Sequence, residues 1–426
     1  MKVQAVLDFL TDYILRNPPV LLGIIAAIGL LIQRKNVADI VKGSLSAAFG
    51  MLILDTGVSL IVGTIVPING AFQVTIAEGA GGSEGLSDVT FIADFGGEIG
   101  LAMFVGLILH LLIARFTPVK TIFLTGHMLW WFPFIFVAAG VEAGLAGIIL
   151  IIFGALFSAL YWSFMPWVMR NYIWDVTKDK SFLIGHPTGI LSIISGFVAK
   201  RFGNKERSTE SINVPKSLSF FREISVMGAI VIFIMYIIMS FIAPEIIAEG
   251  DNAFITAITN GITFGAGLII MLQGVRMLIN QIVPAFQGIS DKVIPGAIPA
   301  FDVPILFNYK PNAVIIGFIV AMITSTIMIL IANTTTMFGV ILIPLVVTSF
   351  FEMGGAAVVG EGQGGLKGAV IGTIVSAVVM VGLMGVSVII YESTIRNWML
   401  IFGGNDLSLF GIIANWIAQI LSGVFG

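Results

Sequence analysis

Ala143–Met165, AGLAGIILIIFGALFSALYWSFM, runs 23 residues without a charged side chain, more than the roughly 20 residues that carry an α-helix across a hydrocarbon layer. Working outward, apolar runs of the same kind lie near 18 to 33, 40 to 66, 99 to 115, 128 to 141, 224 to 247, 253 to 283, 311 to 333, 336 to 351, 367 to 390 and 408 to 425. The whole chain of 426 residues is 58% hydrophobic and only 11% charged, with a mean hydropathy of +1.05. Soluble domains are about a quarter charged. The pattern predicts an all-α polytopic membrane protein with about eleven transmembrane helices, forming a single membrane domain over residues 1 to 426 with no appended soluble enzyme module.

Cysteine is absent and the net charge is −3. The first fact excludes disulfides, thiolate metal sites and a phosphocysteine on this chain; the second gives no reason to expect a nucleic-acid partner. Met1–Arg16 carries Asp8 and Asp12 and lacks the basic start and cleavage site of a signal peptide, so it is expected to stay on the protein. Short basic loops remain on the cytoplasmic side. Arg34, Lys35, Lys42, Arg115 and Lys120, and a polar segment spanning 166 to 223 with Lys200, Arg201, Lys205 and Arg207, are therefore expected inside. The acidic stretches Asn69–Glu98 and Glu249–Asn252 are expected outside, which sets the N-terminus outside and the C-terminus inside.

Three apolar segments are too broken for ordinary crossings: Pro118–Pro133, Ser181–Ala199 and Val293–Phe307. Proline and glycine interrupt helices, and irregular backbone at membrane depth is tolerated only where protein buries it or a cavity solvates it, so these segments are expected to be re-entrant or interrupted. Their polar residues are the candidates for chemistry. In Thr125-Gly126-His127 and Gly185-His186-Pro187-Thr188, each imidazole can offer a donor and an acceptor to a polyhydroxylated ligand while the glycine admits close approach. Helix-end carbonyls could satisfy the same imidazoles. Asp302, between Pro299 and Pro304, is costly in lipid and implies a compensating ligand or partner, a helix N-cap or an ion pair with Lys292 or Lys310 being the plainer account. Asp55, beside Thr56 in the second span, is a candidate of the same kind.

Other features read more plainly. His110 lies on a regular helix near Arg115 and is expected to be structural. Trp130, Trp131, Trp162, Trp167 and Trp174 fall near span ends, where aromatic belts form, although Trp130 and Trp131, directly after His127, can instead stack on a sugar ring. Gly360-Glu361-Gly362-Gln363-Gly364-Gly365 lacks the strand that a dinucleotide loop needs and is expected to be a flexible connection or cavity edge. Histidine and carboxylate spacing matches no zinc or di-iron pattern, no nucleophile constellation is present, and no cofactor is expected.

In order along the chain, Asn17-Pro-Pro-Val-Leu-Leu-Gly23, Arg34-Lys35, Leu124-Thr-Gly-His127, Ile184-Gly-His186, Gln273-Gly-Val-Arg-Met277, Ala285-Phe-Gln-Gly-Ile-Ser290, Ile294-Pro-Gly-Ala297, Asp302 and Pro311-Asn-Ala-Val314 resemble the membrane (IIC) component of the ascorbate-type sugar phosphotransferase system. The resemblance covers nearly the whole chain. It implies a homodimeric permease in a bacterial cytoplasmic membrane, with a substrate-bearing core domain and a dimerisation domain. It also implies a cytoplasmic IIB partner carrying the phosphocysteine, charged by IIA, and a sugar or sugar acid bound at His127, His186 and Asp302. Ascorbate-type members carry glutamines shortly after both Gly-His pairs, whereas Met-Leu-Trp-Trp and Pro187-Thr188 follow here, removing amides that would read a lactone's enediol. A reading from another class is an ion-coupled secondary transporter with Asp302 or Asp55 as its proton or sodium site.

Overall fold

The computed structural model describes residues 13–14, 17–77, 88–211, 223–244 and 252–425. The chain begins with α1 (Pro18–Ile32), started by the Asn17 side chain accepting from the Val20 amide at 3.3 Å and by two prolines pre-set for a first turn. Long apolar helices α2 (Val37–Ala77) and α3 (Asp88–Phe116) follow. Strand β1 (Thr121–Phe123) leads into α4 (Gly126–Glu142), then α5 (Gly147–Thr177). Strand β2 (Leu183–Ile184) leads into α6 (Gly189–Phe202), and α7 (Ile224–Ile242) and α8 (Ala253–Lys292) come next. Strand β3 (Ile298–Phe301) precedes the single turn α9 (Pro304–Phe307), then α10 (Pro311–Thr334), α11 (Val346–Ile390), α12 (Arg396–Phe402) and α13 (Asp406–Phe425).

Among the described residues, eight helices are long and apolar enough to cross a membrane, against the eleven expected. Two of the missing three are short: α1 has 15 residues and α4 has 17. The third, 336 to 351, is not one helix, since 335 to 345 is turn and extended chain and α11 starts at Val346. Hydropathy alone cannot separate an apolar extended segment buried in protein from a helix in lipid.

The chain is helical nearly throughout, as expected, and adds one small parallel sheet of order β1-β3-β2, in which Thr121 pairs with Ile298 and Leu183 with Ala300. Each segment expected to be re-entrant is a short strand followed by a helix. Extended backbone at this depth needs partners. Three parallel strands supply them, and the exposed edge of β1 is closed by His110, whose Nε2 accepts from the Phe123 amide at 3.0 Å while Nδ1 lies 2.8 Å from Ser163 Oγ. His110 is structural, as its place on a regular helix suggested.

The Gly360–Gly365 stretch lies within α11, which kinks at Gly364 (φ −150°, ψ 20°) and Gly365 (φ +60°, ψ −158°). The left-handed conformation favours glycine. The backbone groups freed by the kink are taken up by the basic loop after α6: Asn204 N donates to Gly364 O at 2.7 Å and Leu366 N to Arg207 O at 2.6 Å. Glu361 anchors the same loop, accepting from Ser208 Oγ at 2.6 Å and pairing with Lys310 Nζ at 3.3 Å. These contacts make the stretch a braced helix break, and none of its residues lines the cavity described below.

The polar segment expected at 166 to 223 starts later, because α5 continues to Thr177; its residues 212 to 222 lie outside the described ones. The far end of α11 meets Glu142 at the end of α4, where Glu142 accepts from Ser393 Oγ at 2.7 Å and Thr394 Oγ1 at 2.7 Å. From there α12 dips inward, and α13 runs back out alongside α4, Asn415 Nδ2 donating to Ala139 O at 3.1 Å. Residues 391 to 425 are thus a hairpin opening on the face opposite the basic loop. By length and composition the last helix, Asp406–Phe425, matches the crossing expected at 408 to 425.

Helices α1, α2, α7 and α8 pack mainly on one another, and methyl groups at Gly57 or Gly274 would overlap the backbone of the facing helix. Small residues at such contacts let membrane helices approach closely. The remaining helices and the sheet form a second group.

Candidate functional site

Each strand of the sheet ends at a candidate residue. β1 runs into Thr125-Gly126-His127, β2 into Gly185-His186, and β3, the central strand, into Asp302. The register continues past the strand ends: Leu124 N donates to Ala300 O at 2.9 Å and Gly185 N to Phe301 O at 2.7 Å. Three segments far apart in sequence are therefore brought together at one edge, with the carboxylate between the imidazoles. His127 Nε2 lies 3.7 Å from Asp302 Oδ2, and His186 Nε2 lies 3.5 Å from Asp302 Oδ1. The glycines before both histidines are required by crowding, since a Cβ on Gly126 would lie 2.8 Å from Pro18 Cγ and one on Gly185 2.8 Å from Phe123 Cε2.

These groups face a cavity of about 440 Å³ between the two helix groups. Pro18, Asp55, Val58 and Ser59 line it from α1 and α2; His127, Trp131, His186 and Asp302 line it from the other side. Its size falls within the range of small-molecule sites. Both His–Asp distances exceed those of charge-assisted hydrogen bonds, about 2.7–2.9 Å, so the facing atoms retain capacity for a ligand's hydroxyls. Asp302 forms no pair with the two lysines considered for it: Lys292 Nζ donates to Ile32 O at 2.8 Å, and Lys310 is held by Glu361.

The cavity brings together His127, His186, Asp302, Trp131 and Asp55. Thr125 and Thr188 are not among its lining residues. Thr188 is fully buried behind the wall, its Oγ1 donating to Glu352 O at 2.6 Å, and Thr125 occupies the N-cap position of α4 without capping it. Thr188 thereby ties the His186 loop to α11. The aromatic-belt expectation also yields at two tryptophans: Trp162 is fully buried, and Trp131 lies 5.1 Å from Trp398 to make an aromatic wall. His127, His186 and Asp302 also place ligating atoms within 4.8 Å of one another. That set can hold a divalent cation, a grouping that linear spacing does not disclose.

Three residues were missed in the sequence. Glu352 and Asn405 line the cavity and are joined, Asn405 Nδ2 donating to Glu352 Oε1 at 2.8 Å. Asp406 lies behind them and accepts from Gly189 N at 3.0 Å, Ile190 N at 2.7 Å and Tyr161 OH at 2.5 Å, capping α6 just after His186. Their signal was Gly403-Gly404-Asn405-Asp406, a glycine break with polar residues between apolar runs, and a lone glutamate before Gly354-Gly355.

Comparison with known proteins adds two findings. The family described as "PTS system sugar-specific permease component" (EIIC-GAT) matches residues 13–416. The ascorbate-specific PTS system EIIC component of Mycoplasma pneumoniae is 27% identical over 424 aligned residues, which cover 84% of this chain and 63% of that protein. The chain thus spans less than two thirds of the relative's length.

Proposed function

This chain belongs to the family of sugar-specific permease components of the phosphotransferase system, and from that premise we propose that it carries ascorbate or a related sugar or sugar acid across a bacterial plasma membrane for phosphorylation by a separate protein. The observation that carries this reading is the Asp302 carboxylate set between two imidazoles in a cavity shared by two helix groups. Hydroxyls can donate to the carboxylate and to whichever imidazole nitrogen lacks a proton, and accept from the other. Because the walls belong to different groups, movement of one group against the other exposes the site to alternate sides. The close helix contacts at Gly57 and Gly274 lie within one group, so that group can move as a unit.

The basic loops orient the protein with Lys200–Arg207 in the cytoplasm. On that orientation α1 runs inward from the cavity, in keeping with an N-terminus outside. With no cysteine on this chain, the phosphoryl donor is a phosphocysteine on a IIB protein, recharged by IIA, that reaches a sugar hydroxyl from the cytoplasmic face. The S–P bond breaks as the O–P bond forms, and the hydroxyl proton is released. This chain's part is to hold that hydroxyl in line. A homodimer is the working unit we propose, its remaining apolar faces covered by lipid.

Proteoliposomes containing this chain test the reading. Sugar phosphate is expected to accumulate inside only when phosphorylated IIB is present in the lumen on the cytoplasmic face. Uptake of unmodified sugar driven by a proton or sodium gradient without IIB would overturn it in favour of a secondary transporter.

A further inference from the structure

The cavity wall carries three carboxyl groups, Asp55, Asp302 and Glu352, and no lysine or arginine among its described residues. The nearby cations are engaged elsewhere: Lys292 on Ile32 O, Lys120 on Ala114 O and Lys310 on Glu361. Asp302 has both imidazoles beside it. Glu352 has no such compensation. It is 6% exposed, its Oε1 is held by the neutral Asn405 amide, and its Oε2 has no hydrogen-bond partner among the described residues. Its backbone is fixed as well, the Glu352 carbonyl accepting from Thr188 Oγ1 at 2.6 Å directly behind the His186 loop.

We propose that the site takes an uncharged polyol or sugar in preference to an anionic sugar acid, and that Glu352 is the residue that makes this choice. The inference rests on the permease reading above and narrows its substrate. The Glu352 carboxylate, which has no cation beside it, repels an enolate or carboxylate brought into the same cavity, and the lining holds no lysine or arginine to replace the water that an anion loses on entering. A neutral hydroxyl meets neither cost. It can donate to the carboxylate. The rest of the lining suits the same ligand, because Trp131, Trp398, Phe351 and Phe402 offer apolar surface against which the C–H faces of a sugar can pack.

Calorimetry on the full chain in lipid nanodiscs at neutral pH tests this, with neutral pentoses, hexitols and disaccharides as one set of probes and ascorbate and gluconate as the other. At least one neutral compound is expected to bind about tenfold or more tighter than either anion, and Glu352→Gln, which keeps the shape and the Asn405 contact, is expected to narrow that gap by about fivefold or more. Ascorbate or gluconate binding as tightly as the best neutral compound to the unmodified protein would overturn the proposal, even if the variant failed to fold. So would a preference unchanged in a folded Glu352→Gln protein. If ascorbate binds best and is phosphorylated through IIB, the permease reading stands and this inference falls; if no compound binds, both fall.

Discussion

Replacing His186 with alanine is expected to abolish transport, lowering sugar uptake by about a hundredfold or more, with the protein still folded and assembled. His186 ends β2, is 6% exposed and faces Asp302 across 3.5 Å. No neighbour among the described residues can substitute for its imidazole, since His127 lies on the far side of the carboxylate. Its Nδ1 has no hydrogen-bond partner there, so truncation breaks no hydrogen bond at that atom and the fold should survive. Radiolabelled uptake into proteoliposomes, with size-exclusion chromatography as the control for assembly, measures both. Transport at the unmodified rate would remove His186 from the site.

Asp406→Ala is expected to damage stability and transport together. One carboxylate accepts from the first two amides of α6 and from Tyr161, and the Asp406 amide donates to Pro187 O at 3.1 Å. The contacts therefore hold residues 187, 189 and 190, around the histidine, from one point. Leaving buried donors without an acceptor costs about 1–3 kcal/mol each, so unfolding should become easier by about 3 kcal/mol or more. A displacement of about 1 Å at His186 would add a fall of about a hundredfold in transport. Asp406→Asn keeps one acceptor and should lie between. Thermal unfolding and substrate affinity measured on both variants decide the matter; an unchanged melting temperature together with unchanged affinity for Asp406→Ala would show that α6 needs no such cap.

The two Gly-His pairs and Asp302 were visible in the sequence because polar groups in glycine- and proline-broken apolar segments are expensive unless a cavity receives them. What joins them was not visible. Strands of two to four residues are too short for an alternating pattern, and each pairs with a strand more than 100 residues away, Thr121 with Ile298 and Leu183 with Ala300. Glu352 sits in an otherwise apolar run where nothing marks which face meets the cavity. Asp406 acts on a helix 217 residues earlier, a relation that only packing creates. Apolar periodicity gave the long helices well, but it could not show that 336 to 345 is not helical or that a short helix, Arg396–Phe402, precedes the last one, because hydropathy reports burial without direction.

We propose that the sugar is held at the carboxylate between the two imidazoles. Calorimetric titration of Asp302→Asn with the neutral compound that binds the unmodified protein best tests it most directly. The substitution keeps the side chain's size and removes its charge, so affinity should fall by about tenfold or more. Affinity equal to that of the unmodified protein would place the sugar elsewhere.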